Sequence, residues 1–428
     1  MARVPASEAT RKRLNDMLTG TSEVERSALM REAVRLIVEE TLEAEVSEQL
    51  GRGYYDRAGP NGRGQRNGYR CGHLDSAEGT IEYGVPQVRG IEGWRSEVRA
   101  ALGGKTEELE RLAVEMYARG LSMRDIEAAF TDARGRSVLS RSAASRIAER
   151  LWDDYQAFAT RSLQDVSIVY LFVDGVAERL HLGQPREAVL AAWGIDASGA
   201  KHLLGLQPGT KEDTACCRDF LRDLKARGLP DPIAVITDGA PGLIRAVQEV
   251  MPRSLRQRCL AHKMRNLQAK VPEERWREVG PAARAVYQAP SQALARLAAE
   301  AFHEAWSKEL PTAVTCFDDD FDACIAHLQL PIAHRRVTRT TNLLERLFGE
   351  ERRRTKVIPH AFGERAVMKL MYASLIRASQ TWRGVMITEF ERKQLETLRE
   401  ELNAQFEKHY ATPIQPASRS RNYSKQGT

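Results

Sequence analysis

Continuous apolar runs of strand length crowd into one window, residues 167–262, and that window limits what the chain can become. VSIVYLFVD, AVLAAWGID and KHLLGLQP follow one another with turn signals between them. A helical stretch over 211–227 comes next, then the run PIAVITD, the helix GLIRAVQEV and a last run, LRQRCLAH. Short apolar runs bounded by turn residues read as strands. Three consecutive strands followed by alternating helix and strand predict a mixed α/β layer.

Two of these strands end on Asp-Gly, with Asp174 in YLFVDG and Asp238 in AVITDG. Ligands of α/β sheets gather at strand ends. Carboxylate oxygens are the hard ligands that Mg²⁺ prefers, and Mg²⁺ keeps other positions for water and substrate phosphate. Two such ions about 4 Å apart activate an attacking oxygen and stabilise a leaving one in phosphodiester transfer. A third carboxylate normally completes the set, and Glu345 in TTNLLERLF is the candidate. Each of the three has an ordinary alternative. Asp-Gly also marks tight turns, Asp238 also suits a helix N-cap, and Asn342 with Glu345 three positions on also reads as a capping box.

Outside the window, helical periodicity dominates. Residues 23–50 read as one amphipathic helix with a stripe from Met30 through Val34, Ile37, Val38, Leu42 and Val46 to Leu50, which must pack on another domain or a second copy. The region to residue 58 belongs with it. Residues 59–104 read as a small β-rich or irregular basic module. The stretch from 51 is loaded with Gly and Arg, and TIEYGVPQVRG alternates like a strand. Arg57, Arg63, Arg66 and Arg70 interleaved with Tyr54, Tyr55 and Tyr69 suit nucleic-acid contact or, more plainly, a solvated linker. Residues 105–160 read as three short helices, the second opened by Ser122 with Asp125 three positions on. Helix–turn–helix spacing there would place the third helix in a major groove, with Arg141, Ser142, Ser145 and Arg146 toward DNA; a plain structural bundle has the same spacing. Residues 263–334 turn helical throughout, 335–410 return with TTNLLERLF and the apolar helix ERAVMKLMYASLIRAS, and 411–428 read as a disordered tail.

A chain of 428 residues is too long for one ordinary core and suggests several domains. Its net charge of +6 permits a polyanionic partner without requiring one. The distribution says more, because residues 332–377 concentrate arginine, from Arg335 and Arg339 through Arg346, Arg352, Arg353, Arg354 and Lys356 to Arg377. Local basic density of this kind is the footprint of a phosphate backbone. Six scattered cysteines show no disulfide pattern and fit a reducing cytoplasm. The polar N-terminus lacks a signal-peptide run, and no apolar stretch is long enough to span a membrane.

Read in order, RNGYR, VPQVRG, LFVDG, ITDGAPGLIRAV, QRCLAHKMRN, TTNLLERLF and RRRTKVIP resemble the Mutator superfamily of DDE transposases, in its bacterial insertion-sequence branch. Seven motifs in order are specific, and the likeness covers most of the chain. The resemblance implies a ribonuclease H-like catalytic core, its first part at 165–262 and its second within 335–410, interrupted by an all-helical insertion. It carries the catalytic acids onto Asp174, Asp238 and Glu345, with two Mg²⁺ or Mn²⁺ ions as cofactors. It also includes a Cys-x-x-His after the second aspartate, here Cys259 and His262. His262 would position a phosphate or the terminal hydroxyl; Cys259 reads equally as a buried apolar residue on a strand. A second pair, Cys324 and His327, raises a zinc site, although the spacing is far from that of a finger. The implied activity is 3′-end cleavage and strand transfer on double-stranded DNA. The partners would be terminal inverted repeats and target DNA, bound by at least a homodimer in the nucleoid-associated cytoplasm. Arg339, Asn342, Arg346, Arg352, Arg353, Arg354 and Lys356 would meet DNA. A ribonuclease H-like nuclease that does not join, and a domesticated DNA-binding relative, are the other classes the sequence allows.

Overall fold

The structure is a computed structural model that describes residues 4–20, 25–57, 64–131, 137–178, 180–181, 185–209, 214–342, 348–349 and 363–411. The chain divides into two compact units whose boundary in sequence falls between Asp154 and Tyr155.

The first unit opens with two helices, α1 (Ala6–Thr19) and α2 (Arg26–Leu50). The hairpin β1 (Gln65–Ser76) and β2 (Gly79–Arg89) follows, and then the short helix α3 (Glu97–Leu102). Val38 and Leu42 of α2 pack against Leu74, Ile81, Tyr83 and Val85 of the hairpin. Part of the stripe on α2, Val34, Val38 and Leu42, is therefore covered by the next elements in its own unit, while Met30 and Ile37 stay exposed. β1 runs through the Gly- and Arg-loaded stretch expected to be β-rich or irregular. It pairs antiparallel with β2 over most of its length, with a register shift between Arg66 and Tyr69. Gly72 is required by packing, since a Cβ there would lie 2.7 Å from the Tyr83 ring. α1 has no apolar stripe and docks on α2 through polar pairs, including Thr10 on the fully buried Glu39 at 2.6 Å.

Three helices complete this part of the chain: α4 (Glu107–Ala118), α5 (Met123–Ala129) and α6 (Arg141–Thr160). The Ser122–Asp125 capping box is present at the start of α5. Their buried apolar residues include Leu109, Ala113, Ile126, Ala143, Ala144 and Ile147. On α6, Arg141, Ser142, Ser145 and Arg146 are exposed, on the side away from Ala143, Ala144, Ile147 and Ala148.

The second unit is mixed α/β. Its sheet comprises β3 (Ile168–Glu178), β4 (Glu187–Asp196), β5 (Lys201–Pro208), β6 (Ala234–Thr237) and β7 (Leu255–Arg258). The order is β5-β4-β3-β6-β7. The first three strands are antiparallel neighbours, whereas β3–β6 and β6–β7 are parallel. Parallel neighbours need crossovers, and α7 (Thr214–Ala226) and α8 (Pro241–Val250) supply them. Both pack on the sheet around Phe220, Leu221, Leu224, Leu243 and Val247. β3 and β6 are buried on both faces, which is why they read as continuous apolar runs.

After β7 the described chain is helical: α9 (Leu260–Gln268), α10 (Glu273–Tyr287), α11 (Gln292–Trp306), α12 (Pro311–Asp318) and α13 (Phe321–Cys324). They share a core in which Phe317 stacks on Phe302 at 4.1 Å and on Tyr287 at 5.2 Å. Two short 3₁₀ turns lead to α14 (Arg335–Thr338). α15 (Glu364–Ser379) then packs beside β5, and α16 (Glu389–Ala411) ends the described chain.

Candidate active site at the ends of β3 and β6

Phe172 of β3 pairs with Ile236 of β6 in parallel register. Asp174 and Asp238 each stand two residues beyond that pair, Asp174 still within β3 and Asp238 one residue past the end of β6. The expected strand end holds for Asp238, which opens the turn after β6, but not for Asp174, because pairing with β4 carries β3 on to Glu178. Asp174 is 3 % exposed, and its Oδ1 accepts the Gly175 N–H at 3.0 Å. β3 continues past it, with Asp174 opposite Ala191 of β4. Asp238 is half-buried on the turn between β6 and α8, and its Oδ1 accepts the Ala240 N–H at 2.9 Å. The turn expected of Asp-Gly is thus present, but it engages only one oxygen. Asp238 has no ion pair among the described residues.

The next strand end braces this turn. Gly239 adopts φ +94°, and a Cβ on it would fall 2.5 Å from Nε of Arg258, the last residue of β7. Arg258 is itself fixed by Asp319, whose carboxylate and main-chain carbonyl both accept from Nη1, at 2.6 and 3.2 Å. Arg256 pairs with both carboxylate oxygens of Asp320. The buried ammonium of Lys263 donates to the carbonyls of Cys316 and Asp319 at the end of α12. Burial lowers that ammonium's pKa. The acidic run at 318–322, which reads as a solvated helix start, is instead a set of anchors. Asp318 meets His303 at 2.6 Å and Asp322 meets Arg296 at 2.8 Å.

Cys259 follows Arg258 and is fully buried. Its N–H donates to the Thr237 carbonyl at 2.7 Å, directly before Asp238. Its sulfur accepts from the Thr341 N–H at 3.4 Å and from the Thr341 hydroxyl at 3.5 Å. Burial pushes the thiol up, but hydrogen bonds from His262 and Thr341 outweigh it and hold Cys259 below the ordinary thiol range. The Leu260 N–H donates to the Arg339 carbonyl at 2.8 Å. Cys259 thus ties the start of TTNLLERLF to the strand end beside Asp238. His262 stands half-buried one turn into α9.

Arg339 is half-buried and Asn342 exposed. Glu345, Arg346, Arg352, Arg353, Arg354 and Lys356 lie outside the described residues, as does the tail from 412. Arg335, part of the same basic stretch, is not available to a phosphate. Its three nitrogens donate to the carbonyls of Leu330, Pro290 and Leu328 at 2.7–3.0 Å. Arg66 and Tyr69 are likewise engaged, Arg66 by Gly53, Arg52 and Ser47, Tyr69 by Glu43. Cys324 and His327 are core residues. Burial drives the Cys324 thiol up to about 12 and the His327 imidazole down to about 4. The His327 ring Nδ1 lies 3.2 Å from Gln257 Oε1. Among the described residues no group of three or more His, Cys, Asp or Glu is placed to hold a metal ion. Arg258, Lys263 and Thr341 are the structural finds of this site. Nothing in their sequence context separates them from neighbouring basic and hydroxyl residues.

All six cysteines are free thiols. No helix among the described residues is long and apolar enough to cross a membrane.

A mixed sheet whose adjacent parallel strands carry Asp174 within one and Asp238 just past the other defines an α/β protein with a candidate acidic site. Comparison with known proteins identifies the family. The family described as "Transposase, Mutator family" matches residues 8–384. The chain is 33% identical over 271 residues to the transposase for insertion sequence element IS6120 of Mycolicibacterium smegmatis, covering 63% of this chain and 84% of that protein. It is 30% identical to the transposase for ISRM5 of Rhizobium meliloti over 82% of this chain and 88% of the relative. It is 32% identical to the transposase for IS406 of Burkholderia multivorans over 82% and 90%. The chain belongs to the Mutator family of transposases, enzymes that cut and join DNA.

Proposed function

We propose that the chain binds the terminal inverted repeats of an insertion sequence, and that it cuts and joins DNA at a site formed by Asp174, Asp238 and Glu345. The observation that carries this reading is that Asp174 of β3 and Asp238, just after β6, each stand two residues beyond the paired Phe172 and Ile236 of these adjacent parallel strands. The sheet order, three antiparallel strands followed by two parallel ones, supports a ribonuclease H-like core. Thr341 supports the assignment of Glu345. It is held on Cys259, the residue after β7, and stands four positions before Glu345 in the sequence.

The two aspartates suit Mg²⁺ or Mn²⁺. Their carboxylates are hard oxygen donors, and neighbouring negative charges favour a divalent counter-charge. Two ions there would polarise the phosphodiester and stabilise both the attacking and the leaving oxygen. The chain's own part is positioning and charge. Asp174 is fixed by burial and its strand, and Asp238 by the turn braced on Arg258. His262 orients a phosphate or the terminal 3′-hydroxyl. Arg339, Asn342, Arg346, Arg352, Arg353, Arg354 and Lys356 hold the DNA near the scissile bond. α5 and α6 act as a helix–turn–helix, with Arg141, Ser145 and Arg146 facing DNA; their exposure on one side of α6 supports this. Pairing two ends requires at least a homodimer on DNA.

The test is Asp174→Asn and Asp238→Asn in assays with intact and pre-cut end DNA. Each should abolish cleavage and joining while end binding persists. Joining of pre-cut ends at the wild-type rate by either variant would overturn the assignment.

A further inference from the structure

Many described arginines of the first unit already have partners. Arg11, Arg13, Arg35, Arg111, Arg119 and Arg150 each face a glutamate. Arg31, Arg52 and Arg66 donate to main-chain carbonyls. Of the described arginines with neither kind of partner, Arg70, Arg95 and Arg99 line one cleft of about 500 Å³. The cleft lies between residues 85–88 of β2 and α3, with Trp94 in its wall. No carboxylate lines it.

Its outer wall is held in place. Glu45 of α2 accepts from the Ser96 hydroxyl, from the Glu97 N–H at 2.6 Å and from the Val98 N–H at 3.2 Å. That network fixes the segment carrying Trp94, Arg95 and Arg99. Arg70 stands on β1 opposite Val85 in the hairpin register. Three guanidinium groups around one concavity whose lining holds no carboxylate repel one another. A polyanion removes that repulsion, and a planar guanidinium matches a phosphate with two parallel donors. The one amide side chain in the lining is turned inward: Gln87 Nε2 donates to the carbonyls of Val85 and Pro86 at 3.1 and 3.2 Å. The cleft therefore offers three guanidinium charges beside Trp94, while its one amide is already engaged by its own strand.

We propose that this cleft grips the sugar–phosphate backbone of double-stranded DNA without regard to sequence, as a second contact separate from α5 and α6. This rests on the transposase reading and adds a division of labour, in which the hairpin cleft supplies affinity and the helices supply selection.

The experiment measures binding of the full chain to a labelled duplex carrying a terminal repeat and to a scrambled duplex, between about 50 and 200 mM KCl. The combined variant Arg70→Ala, Arg95→Ala, Arg99→Ala should bind both duplexes more weakly, by about tenfold or more and to the same degree. Each lost phosphate contact removes about 0.9 from the slope of log affinity against log salt, so the slope should fall by about 2.7. Arg95→Glu, at an exposed position, carries the same test if the triple variant does not fold, and Trp94→Ala should weaken both duplexes equally. Wild-type affinity and slope in the variants overturn the proposal, as does a loss confined to the terminal-repeat duplex. If the wild-type chain itself fails to prefer the terminal repeat, the end-recognition reading fails. The slope comparison on scrambled DNA still decides the cleft.

Discussion

Gly239 shows how closely the site is drawn around single residues. Its φ of +94° lies where an L side chain is strained, and its open Cα leaves room for Arg258 Nε. Gly239→Ala adds about 1–2 kcal/mol of backbone strain and drives Arg258 away from Asp319. The expected result is a lower melting temperature and at least a tenfold fall in end cleavage, with end binding unchanged. Wild-type cleavage by this variant would show that Arg258 does not set the Asp238 turn. The sequence does present the Asp-Gly pair. It leaves open whether the acid serves the turn or a ligand, because both uses produce the same dipeptide. The structure shows the first use directly, through the Ala240 N–H, and leaves the second oxygen of Asp238 to the proposed chemistry. Cys259 was ambiguous for a related reason. A buried thiol on a strand and a hydrogen-bond acceptor for Thr341 look alike in one dimension, since Thr341 is eighty-two residues away.

At the level of elements, legibility follows the kind of force that holds each one. Strands β3 to β6 are apolar on both faces and stand out in the sequence, as do α2 and α15, whose expected spans differ from the observed ones by a few residues at most. α1 and β1 do not stand out, since α1 is held by polar pairs on α2 and β1 by its partner strand rather than by apolar periodicity. The turn after α13 carries a pH dependence that periodicity cannot show. Burial holds His327 neutral, near pKa 4, against about 6.5 in an unfolded chain. The folded state binds this proton more weakly, so the stability it contributes is complete above pH 6.5 and is lost as pH falls toward 4. Between pH 7 and pH 5 that loss is about 2 kcal/mol. His327→Asn keeps a donor in the position of Nδ1 and removes the titration. Urea unfolding at the two pH values should show the wild type losing about 2 kcal/mol more than the variant; parallel losses would remove His327 as the cause.

Across the whole molecule, the site draws on residues that the chain spaces widely. Asp174 and Asp238 stand 64 positions apart and Thr341 far beyond both, joined only by sheet register and by the sulfur of Cys259. No local pattern encodes that meeting; the ordered family motifs do so only by resemblance. A site assembled this way links ion binding to the stability of the unit that assembles it. Without a divalent ion, two neighbouring carboxylates repel, and relieving that repulsion commonly stabilises an enzyme at the expense of activity. In EDTA, Asp238→Asn should therefore melt at or above the wild-type temperature. Mn²⁺ at a hundred times its dissociation constant stabilises a folded protein by about 2.7 kcal/mol if the unfolded chain does not bind it. Titrating Mn²⁺ should accordingly raise the melting temperature of the wild type by several degrees. It should raise that of Asp174→Asn or Asp238→Asn far less, and Mg²⁺ should act the same way at higher concentration. Chelation should abolish cleavage and joining while leaving DNA binding intact. Equal Mn²⁺ shifts in wild type and both variants would mean that the ion binds elsewhere, and the two aspartates would then lose their assignment as its ligands.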